Sequence, residues 1–314
     1  MAQRLPERRY AVSTPLFDAL VSRARTLPSL SVAIVDAGER TVLEGAALLI
    51  AEKIATPVLI GDPVRIRTIA GEVGLPAGIT VIPAHSVEES AREGVRLVAE
   101  GQVQALMKGH LHSDTFLHPV LEGLRKRIRL SHVFLAELSS YDRLLYITDA
   151  AMNISPDLEA KAEILQNAID MAHALGNPEP KVAVLSAIET VNPRIASTID
   201  AACLAKMADR RQITGAVVDG PLAFDNAISR EAARTKDLGS PVSGCAEILL
   251  VPDLVSGNIL AKDLEYLAGA TMAGVILGAR VPVILTSRSD PPRSRFLSAC
   301  LATLLFHAGT PTGP

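Results

Sequence analysis

The 314-residue sequence predicts an α/β fold, and three observations carry that prediction. Short continuous runs of branched aliphatic residues recur, each closed by Gly, Pro or Asp. Segments of helical periodicity lie between them. Aromatic residues are only 3% of a chain that is 48% apolar, with no Trp, so small aliphatic side chains must fill the interior. Continuous rather than alternating apolar runs mark strands buried on both faces, as in parallel sheets covered by helices. Strand–helix alternation along the whole length calls for right-handed crossovers.

The strand candidates follow in order. Val32-Ala33-Ile34-Val35 stops at Asp36, and Pro57-Val58-Leu59-Ile60 stops at Gly61-Asp62-Pro63. Next come Gln104-Ala105-Leu106-Met107, Val133-Phe134-Leu135 and Leu144-Leu145-Tyr146-Ile147. The second half adds Val182-Ala183-Val184-Leu185, Ala216-Val217-Val218, Ile248-Leu249-Leu250-Val251 and Val283-Ile284-Leu285. The clearest helix is expected after Ser155, with Pro156 in its first turn and Asp157 and Glu159 favourable to the dipole. Its apolar positions, Leu158, Ala162, Leu165, Ile169, Ala172 and Leu175, are three or four apart, and Gly176 with Pro178 ends it. No repeat, low-complexity stretch or Gly/Ser linker marks a boundary, so a chain of this length forms one large domain or two tightly connected ones.

Charge is nearly balanced, 31 basic against 34 acidic residues, which removes any global electrostatic reason to bind nucleic acid or an anionic membrane. Any anion site must be local. Cys203, Cys245 and Cys300 are scattered and lack CxxC spacing, a usage that fits a reducing cytoplasm. Met1 to Tyr10 is polar, with three Arg and no apolar stretch behind it, so no signal peptide is expected. No apolar run approaches the ~18 residues of a membrane span. The expectation is a cytoplasmic protein.

Four segments concentrate chemistry at strand ends, where α/β folds place ligands. The first is Lys108-Gly109-His110-Leu111-His112-Ser113-Asp114-Thr115. Lys108 can meet a phosphate as a point charge, and amides near Gly109 can approach an oxyanion. His110, His112 and Asp114 at alternate positions also permit a metal, and Ser113 or Asp114 can cap a helix from Thr115. The second is Asp219-Gly220-Pro221-Leu222-Ala223-Phe224-Asp225-Asn226, whose two carboxylates could hold Mg²⁺, or whose Asp225 is a plain helix cap before 226–233. The third, Val251-Pro252-Asp253-Leu254-Val255-Ser256-Gly257-Asn258, offers free N–H groups for a phosphate or carbonyl oxygen if Ser256 to Asn258 open a helix from Ile259, or an ordinary cap. The fourth, Thr286-Ser287-Arg288-Ser289-Asp290, packs hydroxyl, guanidinium and carboxylate together, with Arg293 and Arg295 close behind. Arg forks onto phosphate, Ser donates to an oxyanion, and Asp accepts a proton or orients the Arg. G-x-S-x-G, Walker A and G-x-G-x-x-G motifs are absent, which weakens covalent catalysis and a dinucleotide site.

Taken in order, these segments resemble the phosphate acetyl/butyryltransferase (phosphotransacylase) family. The likeness runs through Leu106–Gly109, Arg129-Leu130-Ser131-His132-Val133-Phe134 and Thr148-Asp149-Ala150-Ala151-Met152-Asn153. It continues through Asp219–Ala227, Val251–Leu254 with Gly257-Asn258-Ile259, and Thr286–Asp290, covering nearly everything after Ser31. The resemblance implies two doubly wound α/β domains of the isocitrate/isopropylmalate dehydrogenase type flanking a cleft, usually in a homodimer. Residues 1–130 plus 281–314 would form the first domain and 131–280 the second.

The implied reaction exchanges a short acyl group, acetyl foremost and butyryl as the alternative, between CoA and inorganic phosphate. CoA, acyl-CoA, phosphate and acyl phosphate are then the partners, with no resident cofactor or metal and no nucleic acid or membrane. By the same likeness Ser287 and Arg288 contact substrate. In acetyl-transferring relatives an Asp seven residues after the Ser is the proposed base for the CoA thiol; here that position is Ser294, and Asp290 instead fits the Ser-Arg-x-Asp pattern of the butyryl branch. Where those relatives carry an Arg before Pro, this chain has His118 before Pro119. Phosphate charge is left to Lys108, His118 or Arg288, with His110, His112, Ser113, Asp219 and Asn258 as further substrate contacts. A metal- and NAD-dependent decarboxylating dehydrogenase and a non-catalytic CoA-binding protein are the remaining readings. With no Trp, the CoA adenine is expected on aliphatic, Arg or Tyr surfaces.

Overall fold

A computed structural model describes residues 14–125 and 129–309. Met1 to Tyr10 lies outside them. The first half runs α1 (Pro15–Ala24), β1 (Leu30–Val35), α2 (Arg40–Ala51), β2 (Ala55–Gly61), α3 (Pro63–Glu72), β3 (Thr80–Pro83), α4 (Val87–Ala99), β4 (Ala105–Lys108) and α5 (Ser113–Gly123). Then come β5 (Ser131–Glu137), β6 (Leu145–Thr148), α6 (Leu158–Ala174), β7 (Lys181–Leu185), α7 (Ala196–Asp209) and β8 (Val217–Leu222). The chain closes with α8 (Phe224–Ile228), α9 (Arg230–Thr235), β9 (Ile248–Leu250), α10 (Leu254–Tyr266), β10 (Thr271–Leu277), β11 (Val283–Ile284) and α11 (Pro292–His307).

Among the described residues, eleven strands join one sheet in the order β3-β2-β1-β4-β11-β10-β5-β6-β9-β7-β8. The strands from β3 to β11 pair in parallel, as do β6, β9, β7 and β8. Between them the joins β11–β10, β10–β5 and β5–β6 are antiparallel. The two parallel groups therefore run in opposite directions. The carboxyl ends of β4 and β11 lie at one end of the sheet, and those of β6, β9, β7 and β8 at the other.

One face carries a single continuous core, in which β-strand residues such as Ile34, Met107, Val275, Val133 and Val182 meet α1, α2, α6 and α11. The opposite face carries two separate cores. One joins α4 and α5 to Leu106, Val283, Leu285 and Ile276; the other joins Ala261 of α10 to Ala136, Ile147, Leu249 and Met272. Side chains alternate along a strand, so Gly274 on β10 and His132 and Phe134 on β5 occupy the strip between these two cores. A Cβ at Gly274 would come within 2.7 Å of the Leu285 carbonyl oxygen and 2.9 Å of His132 Nε2, so only glycine fits there.

Several helix starts differ from expectation. The helix expected after Ser155 begins at Leu158, because Asp157 caps it by accepting from the Ala160 N–H at 2.8 Å. α5 begins at Ser113 with His112 at the cap position, so Ser113 and Asp114 lie inside the helix. Asp225 is likewise internal, and Ser229 caps the next turn by accepting from Ala232. α10 starts at Leu254, five residues before the expected Ile259, capped by Asp253, whose carboxylate takes the Ser256 N–H at 2.8 Å. The free donors expected at Ser256 to Asn258 are thus already bonded within the helix and its cap.

Candidate active site

Lys108 closes β4, and its side chain is buried at 2% exposure. Its ammonium donates to the Thr286 carbonyl at 3.2 Å, across the parallel β4–β11 pair. Burial first, and then the Arg295 and Arg288 guanidiniums, push its pKa down to about 8, with Asp290 opposing. The chain turns away directly after it. Gly109 N–H donates to Val35 O at 2.8 Å and His110 N–H to Asp36 O at 3.0 Å. A Cβ at Gly109 would sit 2.2 Å from Val35 O, so this turn requires glycine.

Beside it, β11 leads into a tight turn. Asp290 Oδ2 accepts the Ser287 N–H at 2.8 Å, and the Asp290 N–H donates to Ser287 O at 3.3 Å. Burial holds the Asp290 carboxyl above its ordinary range, against the opposing pull of the Ser287 N–H, Arg295, Lys262 and Lys108. Arg288, at the exposed tip, places Nη1 3.4 Å from His112 Nε2 at the start of α5. Ser287 Oγ lies 3.0 Å from Ser289 Oγ, which lies 3.1 Å from the hydroxyl of Tyr266 at the end of α10. Lys108, His112, Ser287, Arg288 and Asp290 therefore meet at the adjoining ends of β4 and β11. Two cations and a hydroxyl over a buried carboxylate suit a doubly charged anion next to an acyl oxygen.

The other expected residues fall elsewhere. Ser113 follows His112 and is exposed, while His110 is exposed at the turn. His118 is exposed on α5 with Nδ1 3.6 Å from Glu122, and has no bond to the cluster. Asn258 donates to the Ala150 carbonyl at 3.3 Å, two helical turns and about 12 Å along α10 from Tyr266. Asp219 sits on β8, the sheet's far edge, and accepts its neighbouring Gly220 N–H at 2.8 Å. Six strand steps of about 4.8 Å separate β8 from β11, so Asp219 does not join the cluster within one chain. Within one chain the structure thus brings the first and fourth motifs together and leaves the second and the Asn258 end of the third apart from them. The cause is the reversal of strand direction in the middle of the sheet. Among the described residues no group of three or more His, Cys, Asp or Glu side chains could hold a metal, and Asp225 is instead paired with Lys236 at 3.1 Å.

Three residues that the sequence assigns no role also join these loops. Asp149 is buried and accepts N–H bonds from Ala151 at 2.9 Å, Met152 at 3.0 Å and His132 at 3.2 Å, shaping the loop that faces α10. His132 is wholly buried, and its pKa is pushed down to about 4 by burial, so the ring is neutral. Arg295 donates to the backbone of both strand ends, at Lys108 O and Ser287 O. Ser294, where acetyl-type relatives would carry their Asp, is buried in the first turn of α11, with its carbonyl accepting from Ser298 Oγ at 2.7 Å.

Residues 77–302 match the family model described as "Phosphate acetyl/butaryl transferase". A phosphate acetyltransferase of Rhizobium meliloti is 47% identical over 302 residues, covering 94% of this chain and 95% of that protein. A phosphate butyryltransferase of Clostridium acetobutylicum is 39% identical, covering 92% of this chain and 97% of that one. The crystal structure of a branched-chain phosphotransacylase from Enterococcus faecalis superposes with a TM-score of 0.77 at 34% identity, covering 88% of this chain and 99% of that one.

Proposed function

The chain belongs to the phosphate acetyl/butyryl transferase family, and on that premise we propose that it moves a short acyl group, acetyl first, reversibly between CoA and inorganic phosphate. The observation that carries the site assignment is the meeting of Lys108, Ser287, Arg288 and Asp290 at the ends of β4 and β11. In this reading Arg288 and the Lys108 ammonium hold the phosphoryl oxygens of acyl phosphate. Ser287 Oγ donates to the acyl carbonyl oxygen, where negative charge develops. Asp290 keeps the turn in shape through Oδ2 and takes the CoA thiol proton through Oδ1. The thiolate attacks the carbonyl carbon, the carbon–oxygen bond to phosphate breaks, and the proton passes to the departing phosphate. A carboxyl raised by burial is better matched to a thiol than an ordinary one, since transfer is most efficient between groups of similar pKa.

His112 lies behind Arg288 and steadies its fork. His110, Ser113, His118, Asn258 and Asp219 are assigned to outer substrate contacts, Asp219 only if a second protomer brings it near. We assign residues 1–130 with 281–314 to one unit and 131–280 to the other. The protein acts as a cytoplasmic homodimer with no resident cofactor. The Ser-Arg-x-Asp pattern favours testing longer chains beside acetyl.

Phosphate-dependent release of CoA from acetyl-, propionyl- and butyryl-CoA measures the activity, and kcat/KM is expected to be highest for acetyl. Ser287→Ala and Arg288→Ala should each lose about tenfold or more, the usual cost of removing a transition-state donor, while keeping the fold. No turnover of any short acyl-CoA at high phosphate would refute the reading.

A further inference from the structure

Among the described residues Arg295 is the bulkiest wholly buried side chain, at 0% exposure. Among the described residues it has no carboxylate within ion-pair distance. Its fork instead spans two strands. Nη1 donates to Lys108 O at 3.2 Å and to Thr286 Oγ1 at 2.8 Å, and Nη2 donates to Ser287 O at 3.1 Å. Its Nε has no partner. Room for the side chain comes from Gly45 on α2, where a Cβ would lie 3.3 Å from Arg295 Cδ.

A buried guanidinium without an ion pair is costly, and a neutral side chain of similar size would fill the same space more cheaply. Its bonds have one common target, the adjoining ends of β4 and β11. We propose that Arg295 is a positioning residue, whose rigid fork locks the Lys108 strand end to the Ser287–Arg288 turn so that both face one phosphate. The proposal rests on the phosphate-transfer reading of the site. A lysine cannot replace the fork, because one ammonium does not present the planar set of donors that bridges three oxygens.

The charge has a second consequence. Arg295 lowers both the Lys108 amine and the Asp290 carboxyl, so its removal lets both rise. The experiment compares wild type with Arg295→Met, Arg295→Lys and the milder Thr286→Val. Arg295→Met should lower kcat/KM for phosphate by about a hundredfold, with the KM for acyl-CoA nearly unchanged, as expected when transition-state alignment is lost. Both limbs of its pH profile should move to higher pH. Arg295→Lys should return the limbs toward wild type without restoring the rate, and Thr286→Val should lose about tenfold.

Calorimetric binding of inorganic phosphate is measured alongside. Wild type that binds phosphate without turnover would sink the transfer reading and leave this one standing. A folded Arg295→Met protein with wild-type phosphate binding, rate and pH limbs would overturn the proposal. So would full activity in Arg295→Lys, which remains decisive even if the Met variant fails to fold.

Discussion

Replacing Lys108 by Met should abolish transfer and at the same time stabilise the protein. Lys108 titrates at about 8 in the fold against 10.5 when solvated, chiefly because it is buried. At 1.36 kcal/mol per unit, holding its proton in the folded state costs about 3 kcal/mol at neutral pH. Met fills a similar volume without that cost, but leaves the Thr286 carbonyl without its 3.2 Å donor. An unpaired buried acceptor costs about 1–2 kcal/mol, so the net gain is roughly 1–2 kcal/mol. At about 2 cal/mol/K of unfolding entropy per residue, this corresponds to roughly a 2 °C rise in Tm. The sign follows from proton counting. The folded pKa is depressed, so between about 8 and 10.5 the unfolded state binds more protons and wild type gains stability as pH rises. The advantage of Lys108→Met must therefore be full below pH 8 and shrink toward pH 10. Urea unfolding at several pH values and phosphate-dependent CoA release read the two effects. A variant less stable than wild type at pH 7, or a stability gap that does not narrow with pH, would refute the burial argument.

Other outcomes follow from the same contacts. The profile of kcat/KM for phosphate should be bell-shaped, its acid limb set by Asp290 above the ordinary aspartate range and its alkaline limb near 8 by Lys108. Lys108→Arg should remove the alkaline limb, and a limb that persists there would assign it to another group. His132 is neutral in the fold with a pKa of about 4 against 6.5, so stability is full above 6.5 and falls as pH drops toward 4. The loss is read from unfolding curves, and His132→Gln should flatten that slope. Gly109→Ala drives a Cβ into the Val35 and Asp36 carbonyls at 2.2 and 2.3 Å, and should cost about 3 kcal/mol or more as β4 is forced off β1. A variant with wild-type urea midpoint would show that the turn yields without cost.

Much of this site is legible because its groups are local. Lys108 follows a four-residue strand directly, and Ser287, Arg288 and Asp290 share one turn, so strand ends and residue types were enough to single them out. Each of the nine apolar runs overlaps a strand, since burial on both faces writes a continuous pattern along every one of them but the half-buried edge strand β8. β10 escaped because Gly274 interrupts its apolar run, and that glycine is required by the close approach of Leu285 and His132 from neighbouring strands. β3 escaped because it is an edge strand, half-buried or exposed throughout. Capping was misread for a subtler reason. Ser155 and Asp157, or Asp253 and Ser256, are both competent caps a few residues apart, and only the docking of the following helix decides between them.

What linear sequence conceals is direction. β10 enters the sheet antiparallel to β11 and β5, which leaves β5 running with β11, and the third antiparallel join, β5–β6, sends the carboxyl ends of the second group of strands away from Lys108. Motifs that look equivalent, each following a strand, therefore divide between the two ends of the sheet. α10 reconnects them. It starts beside the Asp149 loop, where Asn258 holds Ala150 O, and ends where Tyr266 meets Ser289. An interaction that draws α10 toward α5 would act on both ends of this strip together, since one rigid helix carries both contacts. The near-neutral surface charge then takes on a definite meaning. Cations around the proposed anion site are placed singly, one exposed at Arg288 and two buried, Lys108 beside it and Arg295 behind both strand ends. Burial makes each of the two inner charges act through a low-dielectric path on the other and on Asp290. A few internal groups can thus set the charge and pH response of the site without a basic surface that would also attract unrelated polyanions.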